Sequence, residues 1–141
     1  MSAPPFPDES VGPDPAGDLR RTFHTQLDEL RERIAKLAAK VTESIPRATE
    51  ILLTQDLEGA ELMVLADDEI DAKSLELDES CYELLALQSP VAGDLRRVVA
   101  AMRIIAEIER SADLAVNICK AARRIYGHQL DPRLRGTIQK M

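Results

Sequence analysis

Two pairs of carboxylates stand at helical spacing, Asp67 with Asp71 and Glu109 with Asp113. Side chains four residues apart share one helix face, a turn apart. Each pair interrupts an apolar seam. Alternating steps of four and three through the third long segment give Val91, Leu95, Val98, Met102, Ile105, Glu109, Ala112, Val116 and Cys119, apolar everywhere except at Glu109. The second segment gives Ala60, Met63, Asp67, Ile70, Ser74, Leu77, Cys81, Leu84 and Gln88, with Asp67 in mid-helix. In that segment Leu57, Val64, Leu75, Tyr82 and Leu85 offer a rival face. A carboxylate on a bundle seam is costly unless it is protonated, paired or bound to a cation. Hard oxygen donors suit Mg, Mn, Ca or Fe, and Zn is also accommodated.

A lone Asp-x-x-x-Asp on a helix is ordinarily a solvated edge, so the chemistry depends on whether the pairs meet. Short turns make consecutive helices antiparallel neighbours. Asp67 lies 22 residues before Ser89 and Glu109 lies 20 after it. At about 1.5 Å per residue these are heights of roughly 33 and 30 Å above the turn. The two pairs therefore arrive at one level of one bundle. Helix 1 offers Val41, Ser44 and Ala48 there and adds no obvious ligand. His24 and His128 lie near element ends, outside the Glu-x-x-His pattern of redox di-iron bundles, which argues against oxygen chemistry. A two-metal hydrolase would need an acid–base partner that the sequence does not offer.

The elements that must position these acids are three long helices. Helix 1 is predicted from Asp18, as N-cap, to Thr54, on the seam Phe23, Leu27, Leu30, Ile34, Leu37, Val41, Ser44, Ala48 and Ile51. Pro46 lies inside it and predicts a kink between Thr42 and Ile45. Asp56 can cap helix 2, which runs to about Leu87. Ser89 can cap helix 3, with Pro90 in its first turn, and Gly127 stops it after Tyr126. Asp131-Pro132 begins a fourth helix. The expected fold is all-α, an elongated up-down-up three-helix bundle with coiled-coil-like seams. Residues 1–17 are expected to be a disordered Pro-rich tail, 18–127 the bundle, and 128–141 a linker with the start of a second repeat.

The formal net charge of −7 argues against nucleic acid as the main partner. Asp8, Glu9, Asp14 and Asp18 supply much of the excess, in a stretch without a basic residue. No apolar run approaches the roughly 20 residues of a membrane span, and no signal sequence opens the chain, so a cytoplasmic location is expected. With no Trp, two Phe and two Tyr the core must be aliphatic. Cys81 and Cys119 fall on apolar seams and read as buried free thiols.

Residues 84–118, LLALQSPVAGDLRRVVAAMRIIAEIERSADLAVNI, resemble the PhoU family. The residues that match its motif are Gln88, Pro90, Val91, Asp94, Leu95, Arg96, Glu109, Arg110, Asp113, Asn117 and Ile118. The stretches FHTQLDELRERI and DLEGAELMVLADDEID also resemble the family's first two helices. Ser111-Ala112 replaces the usual Ile-Gly, and Leu114 replaces the usual His; the acids are kept. The resemblance implies one of two similar three-helix repeats, with Asp67, Asp71, Glu109 and Asp113 as metal ligands for iron, zinc or manganese, Mg not being excluded. It also implies a non-enzymatic negative regulator of phosphate uptake and the phosphate-starvation response. Such a protein links a phosphate ABC transporter to a sensor histidine kinase, forms a homodimer, and meets the membrane only through partners. The alternative reading is a metal-free helical scaffold.

Overall fold

The computed structural model describes residue 12 and residues 14–141. Most of the expected N-terminal tail therefore lies outside the described residues. Four helices follow in order: α1 (Pro15–Thr54), α2 (Leu57–Gln88), α3 (Ala92–Arg124) and α4 (Pro132–Lys140). The first three pack against one another pairwise as an up-down-up bundle, and α4 touches only α1. The all-helical expectation holds.

Helix α1 begins three residues before the expected cap Asp18. Pro15 occupies its first turn, where a missing N–H costs nothing, and Asp14 is the N-cap residue. The helix stays a single element across Pro46. It ends at Gln55, which takes a left-handed φ of 54°. The Gln55 side chain then ties the far end of the bundle: its Oε1 accepts from Gly127 N–H at 3.1 Å, and its Nε2 donates to the Ile125 and His128 carbonyls. Asp56 caps α2 by accepting from Gly59 N–H at 3.0 Å.

The second turn corrects the sequence reading. Ser89 does not cap α3; it closes α2 in the left-handed region at φ 40°. Pro90 has no N–H to continue the ladder, so α2 must stop before it. Val91 is extended and α3 starts at Ala92.

Helices α1 and α2 bury the seams read from their sequences, except that Ser44, Asp67 and Gln88 are only half-buried. The rival face of α2 is outward, with Leu75 and Tyr82 exposed. Helix α3 is rotated from expectation. Val98, Ile105, Ala112, Val116 and Cys119 are buried as expected, but Ala101, Ile108, Ala115 and Ala122 are buried alongside them. Val91 and Leu95 are exposed, while Met102 and Glu109 are half-buried. The physical reason is contact with two helices at once. That requires a wide face on which small alanines permit close approach, whereas hydropathy alone favours the larger Leu and Met.

The core falls into two apolar clusters. One runs from Phe23 to Val41 on α1 and includes Ile70 of α2 and Ala112 of α3. The other is built from Ala48, Ile51, Ala60, Met63, Ala115, Cys119 and Ala122. Between them, Ser44 separates Val41 from Ala48 on α1, and Asp67 separates Met63 from Ile70 on α2. Ser44 and Asp67 are thus half-buried polar residues in the gap, whereas Asp113 is exposed beside the unbroken buried face of α3. Outside the core, Glu69 on α2 joins two lysines at 2.7 Å each, Lys40 of α1 and Lys73 one turn on. Hydrogen bonds from Lys40 and Lys73 hold its carboxyl down at about 2.

The rotation of α3 is testable by truncation. Ile108→Ala is expected to cost about 2–5 kcal/mol in urea unfolding, as for a buried isoleucine. Glu109→Ala should stay within about 0.5 kcal/mol of the parent, as for a surface change. The opposite ranking would mean that Glu109 is the seam residue.

Candidate metal centre

The gap between the two clusters is where the acids converge. Asp67 and Asp71 are one turn apart on α2, and Asp113 comes from the antiparallel α3. One carboxylate oxygen from each lies within 4.8 Å of the other two. Asp67 is half-buried; Asp71 and Asp113 are exposed. Glu109 is half-buried and lies outside this trio. Three of the four acids expected from the sequence are therefore brought together, and the fourth is one turn earlier on α3.

The electrostatics are those of crowding. Burial pushes the Asp67 carboxyl above its ordinary value, and the charges of Asp71 and Asp113 push it in the same direction. Lys120, two turns beyond Asp113 on α3, opposes them, and Asp68 adds a smaller upward push. The spacing of seven residues between Asp113 and Lys120 is the signal in the sequence for this role. Oδ1 of Asp67 is buried without a hydrogen-bond donor.

That orphaned oxygen and the donor set fit a hard cation. Oxygens bound to one ion at roughly 2.1 Å stand at most about 4.2 Å apart, so small side-chain movements would let the trio share one ion. All three donors are carboxylates, and water would complete the shell. The geometry also sets the scale of the repulsion. Two unit charges about 5 Å apart repel by about 1 kcal/mol in water. Since two of the three acids are exposed, that lower figure applies, and the bundle can fold without an ion.

The remaining candidates fall elsewhere. A cavity of about 330 Å³ adjoins Asp67 on its α1 side, where Ser44, Lys40 and Arg47 help to line it. Cys81 and Cys119 are both free and buried. Burial and Asp78 push the Cys81 thiol up to about 11, and burial raises Cys119, whose Sγ is 3.7 Å from Met63 Sδ. Neither is a thiolate ligand at neutral pH. His24 lies at the other end of the bundle, 3.5 Å from Asp94. His128 is exposed in the turn after α3.

The family model described as "PhoU domain" matches residues 34–122. The chain is similar to a protein of Mycobacterium leprae named "Phosphate-specific transport system accessory protein PhoU homolog 1". They are 40% identical over 114 residues, 81% of this chain and 51% of that protein. It is also similar to the Mycobacterium tuberculosis protein named PhoU homolog 2, at 39% identity over 124 residues, 87% of this chain and 58% of that one. A homologue from Aquifex aeolicus is 38% identical over 97 residues, covering 69% of this chain and 44% of its own. The chain spans about half the length of the curated relatives it matches.

The crowding at Asp67 has a pH signature. Its folded-state pKa lies above the ordinary value of 3.8, so ionised Asp67 lowers folded stability at neutral pH. The penalty is fully present above the raised pKa and is gone below the ordinary one. Metal-free Asp67→Asn should therefore melt higher than the metal-free parent at pH 7, and the gap should close toward about pH 4. A variant that melts lower at pH 7, or a gap unchanged with pH, would contradict the assignment.

Proposed function

The chain belongs to the PhoU domain family, and from that premise we propose that it is a negative regulator of phosphate uptake and of the phosphate-starvation response. It acts as a non-catalytic adaptor between a phosphate ABC transporter and a sensor histidine kinase. The observation that carries this reading is the family match across residues 34–122, which includes every acid of the candidate centre. The relatives' names support the transport half of it, since they are phosphate-specific transport system accessory proteins.

In this reading Asp67, Asp71 and Asp113 hold a first Fe, Mn or Zn ion, with Mg as a weaker occupant. Glu109, one turn from Asp113 on the same helix, serves a second ion. The ion bridges α2 and α3 and fixes their spacing in the gap between the core clusters. The adaptor works in the cytoplasm as a homodimer and reaches the membrane through its partners. No helix among the described residues is long and apolar enough to cross a membrane. Residues 18–127 form one repeat, and 128–141 open a second one, which the greater length of the relatives supports.

One observation favours the plainer reading of a metal-free scaffold. Leu62, Leu65, Leu75, Tyr82, Ile104 and Leu114 present large apolar side chains outward from α2 and α3. On that reading partner binding would be the same in EDTA.

Deleting the gene in its own host should raise phosphate uptake and switch on a starvation-response reporter in phosphate-rich medium. Restoring the wild-type chain should reverse both effects. Reporter and uptake left unchanged by the deletion would contradict the regulatory role.

A further inference from the structure

The two helices that hold the candidate metal centre carry opposite charge. Helix α2 has ten carboxylates and one lysine, a formal −9, whereas α3 has seven basic residues and four acids, a formal +3. The two also share an exposed apolar face. Asp71 and Asp113 meet across the α2–α3 groove, so residues at four- and three-residue steps from each lie on that face too. On α2 these are Leu75 and Tyr82, 61% and 59% exposed. On α3 they are Val99 and Leu95, both exposed, with Met102 half-buried between them and the centre. Helix α1 does not cover this face, because it lies along the other side of α2, where Lys40 and Arg33 reach Glu69 and Glu76. Large apolar side chains grouped in this way mark an interaction surface. Charged residues border the patch. Asp113 is level with position 69, midway between Asp67 and Asp71. Ten residues on along each antiparallel helix, Glu79 is therefore level with Arg103. Both are exposed, and neither has an ion pair among the described residues.

We infer that this face joins two copies of the chain about a two-fold axis parallel to the helices, with α2 of each copy against α3 of the other. It rests on the homodimeric reading above and assigns that homodimer a surface. Charge selects the axis. A two-fold axis running across the helices would press acidic α2 against acidic α2, whereas one running along them sets −9 against +3 twice. The chosen axis also keeps every residue at its own level. Tyr82 of one copy then meets Val99 of the other, and Glu79 meets Arg103 at the rim, each contact made twice by symmetry. A uniformly basic or uniformly acidic partner would fit only half of this face; the chain itself fits both halves. The area is sufficient. From Val64 to Leu85 the face runs 21 residues, about 32 Å, and two adjacent helices are about 20 Å across. That is on the order of 600 Å² before side-chain relief, which raises it toward the ~800 Å² per partner of a stable interface. The second copy also reaches the metal centre. Arg110 of one copy comes level with Asp71 of the other and adds a cation beside the crowded carboxylates.

Sedimentation velocity of the full chain at micromolar concentration should show a dimer. Leu75→Asp with Tyr82→Asp should convert it to monomer, with helical circular dichroism unchanged because both side chains are exposed. Glu79→Arg sets arginine against arginine twice, and Arg103→Glu sets glutamate against glutamate twice. Each alone should weaken the dimer at least about tenfold. Mixed in equal amounts, the two variants should dimerise as the natural chain does, since the mixed pair holds one natural ion pair and one reversed one. A variant that was merely misfolded could not be rescued in this way. A natural chain that stays monomeric at high micromolar concentration would overturn the proposal together with the homodimeric reading. A dimer indifferent to all of these substitutions would overturn the proposal and leave the homodimer standing on another face. So would a mixture no tighter than its weakened components. A Glu79→Arg dimer tighter than the natural one would place α2 against α2 and overturn the axis.

Discussion

Three carboxylates converge at the level where the apolar core divides into two clusters, and only one of them, Asp67, reaches into the bundle. Above and below the layer, aliphatic side chains from all three helices interlock; within it they give way to Ser44 and Asp67, with Asp113 at its solvent edge. An apolar residue at position 67 would join the two clusters into one. The bundle instead keeps a half-buried carboxylate whose inner oxygen has no donor. Lys120 offsets part of the charge from two turns away. A divalent or trivalent cation would offset more of it, and would do so by bridging α2 to α3. An ion at this level would therefore couple the centre to the fold by fixing the spacing of α2 and α3 there.

Much of this was legible in the sequence because helix periodicity is a strong signal over many turns. The seams of α1 and α2 are buried nearly residue for residue, and the level match of the acid pairs follows from counting through one short turn. The seam of α3 was legible only in half. Its heptad position at Val98, Ile105, Ala112 and Cys119 is correct, but the alternating position belongs to Ala101, Ile108 and Ala115 rather than to Met102 and Glu109. Ala carries little hydropathy, so a pattern weighted toward large side chains drifts by one residue where close approach is what matters. Glu109 falls outside the trio because it stands one turn along the helix from Asp113. The Ser89 turn was misread for a different reason. A serine before a proline suits the start of one helix and the end of another, and only the backbone distinguishes them.

The two ends of the bundle are finished differently. At the α1–α2 end, the Gln55 side chain satisfies backbone groups of the turn after α3 and so closes that end with hydrogen bonds. At the α2–α3 end, left-handed Ser89, Pro90 and extended Val91 leave the chain open, with apolar side chains facing outward beside Arg20 and Arg97. The closed end fixes the register of the helices. The open end leaves large apolar side chains exposed.

The bridging ion is the central claim, and it is tested most directly by elemental analysis of the purified protein before and after dialysis against EDTA, with thermal melts on each sample. The account requires at least one Fe, Mn or Zn per chain and a melting temperature that falls on chelation and returns when the metal is restored. An ion at about 100 times its dissociation constant stabilises by about 2.7 kcal/mol, enough to shift the melt by several degrees. No bound metal and superimposable melts with and without added ion would contradict it, and would leave Asp67, Asp71 and Asp113 as a solvated edge of the bundle.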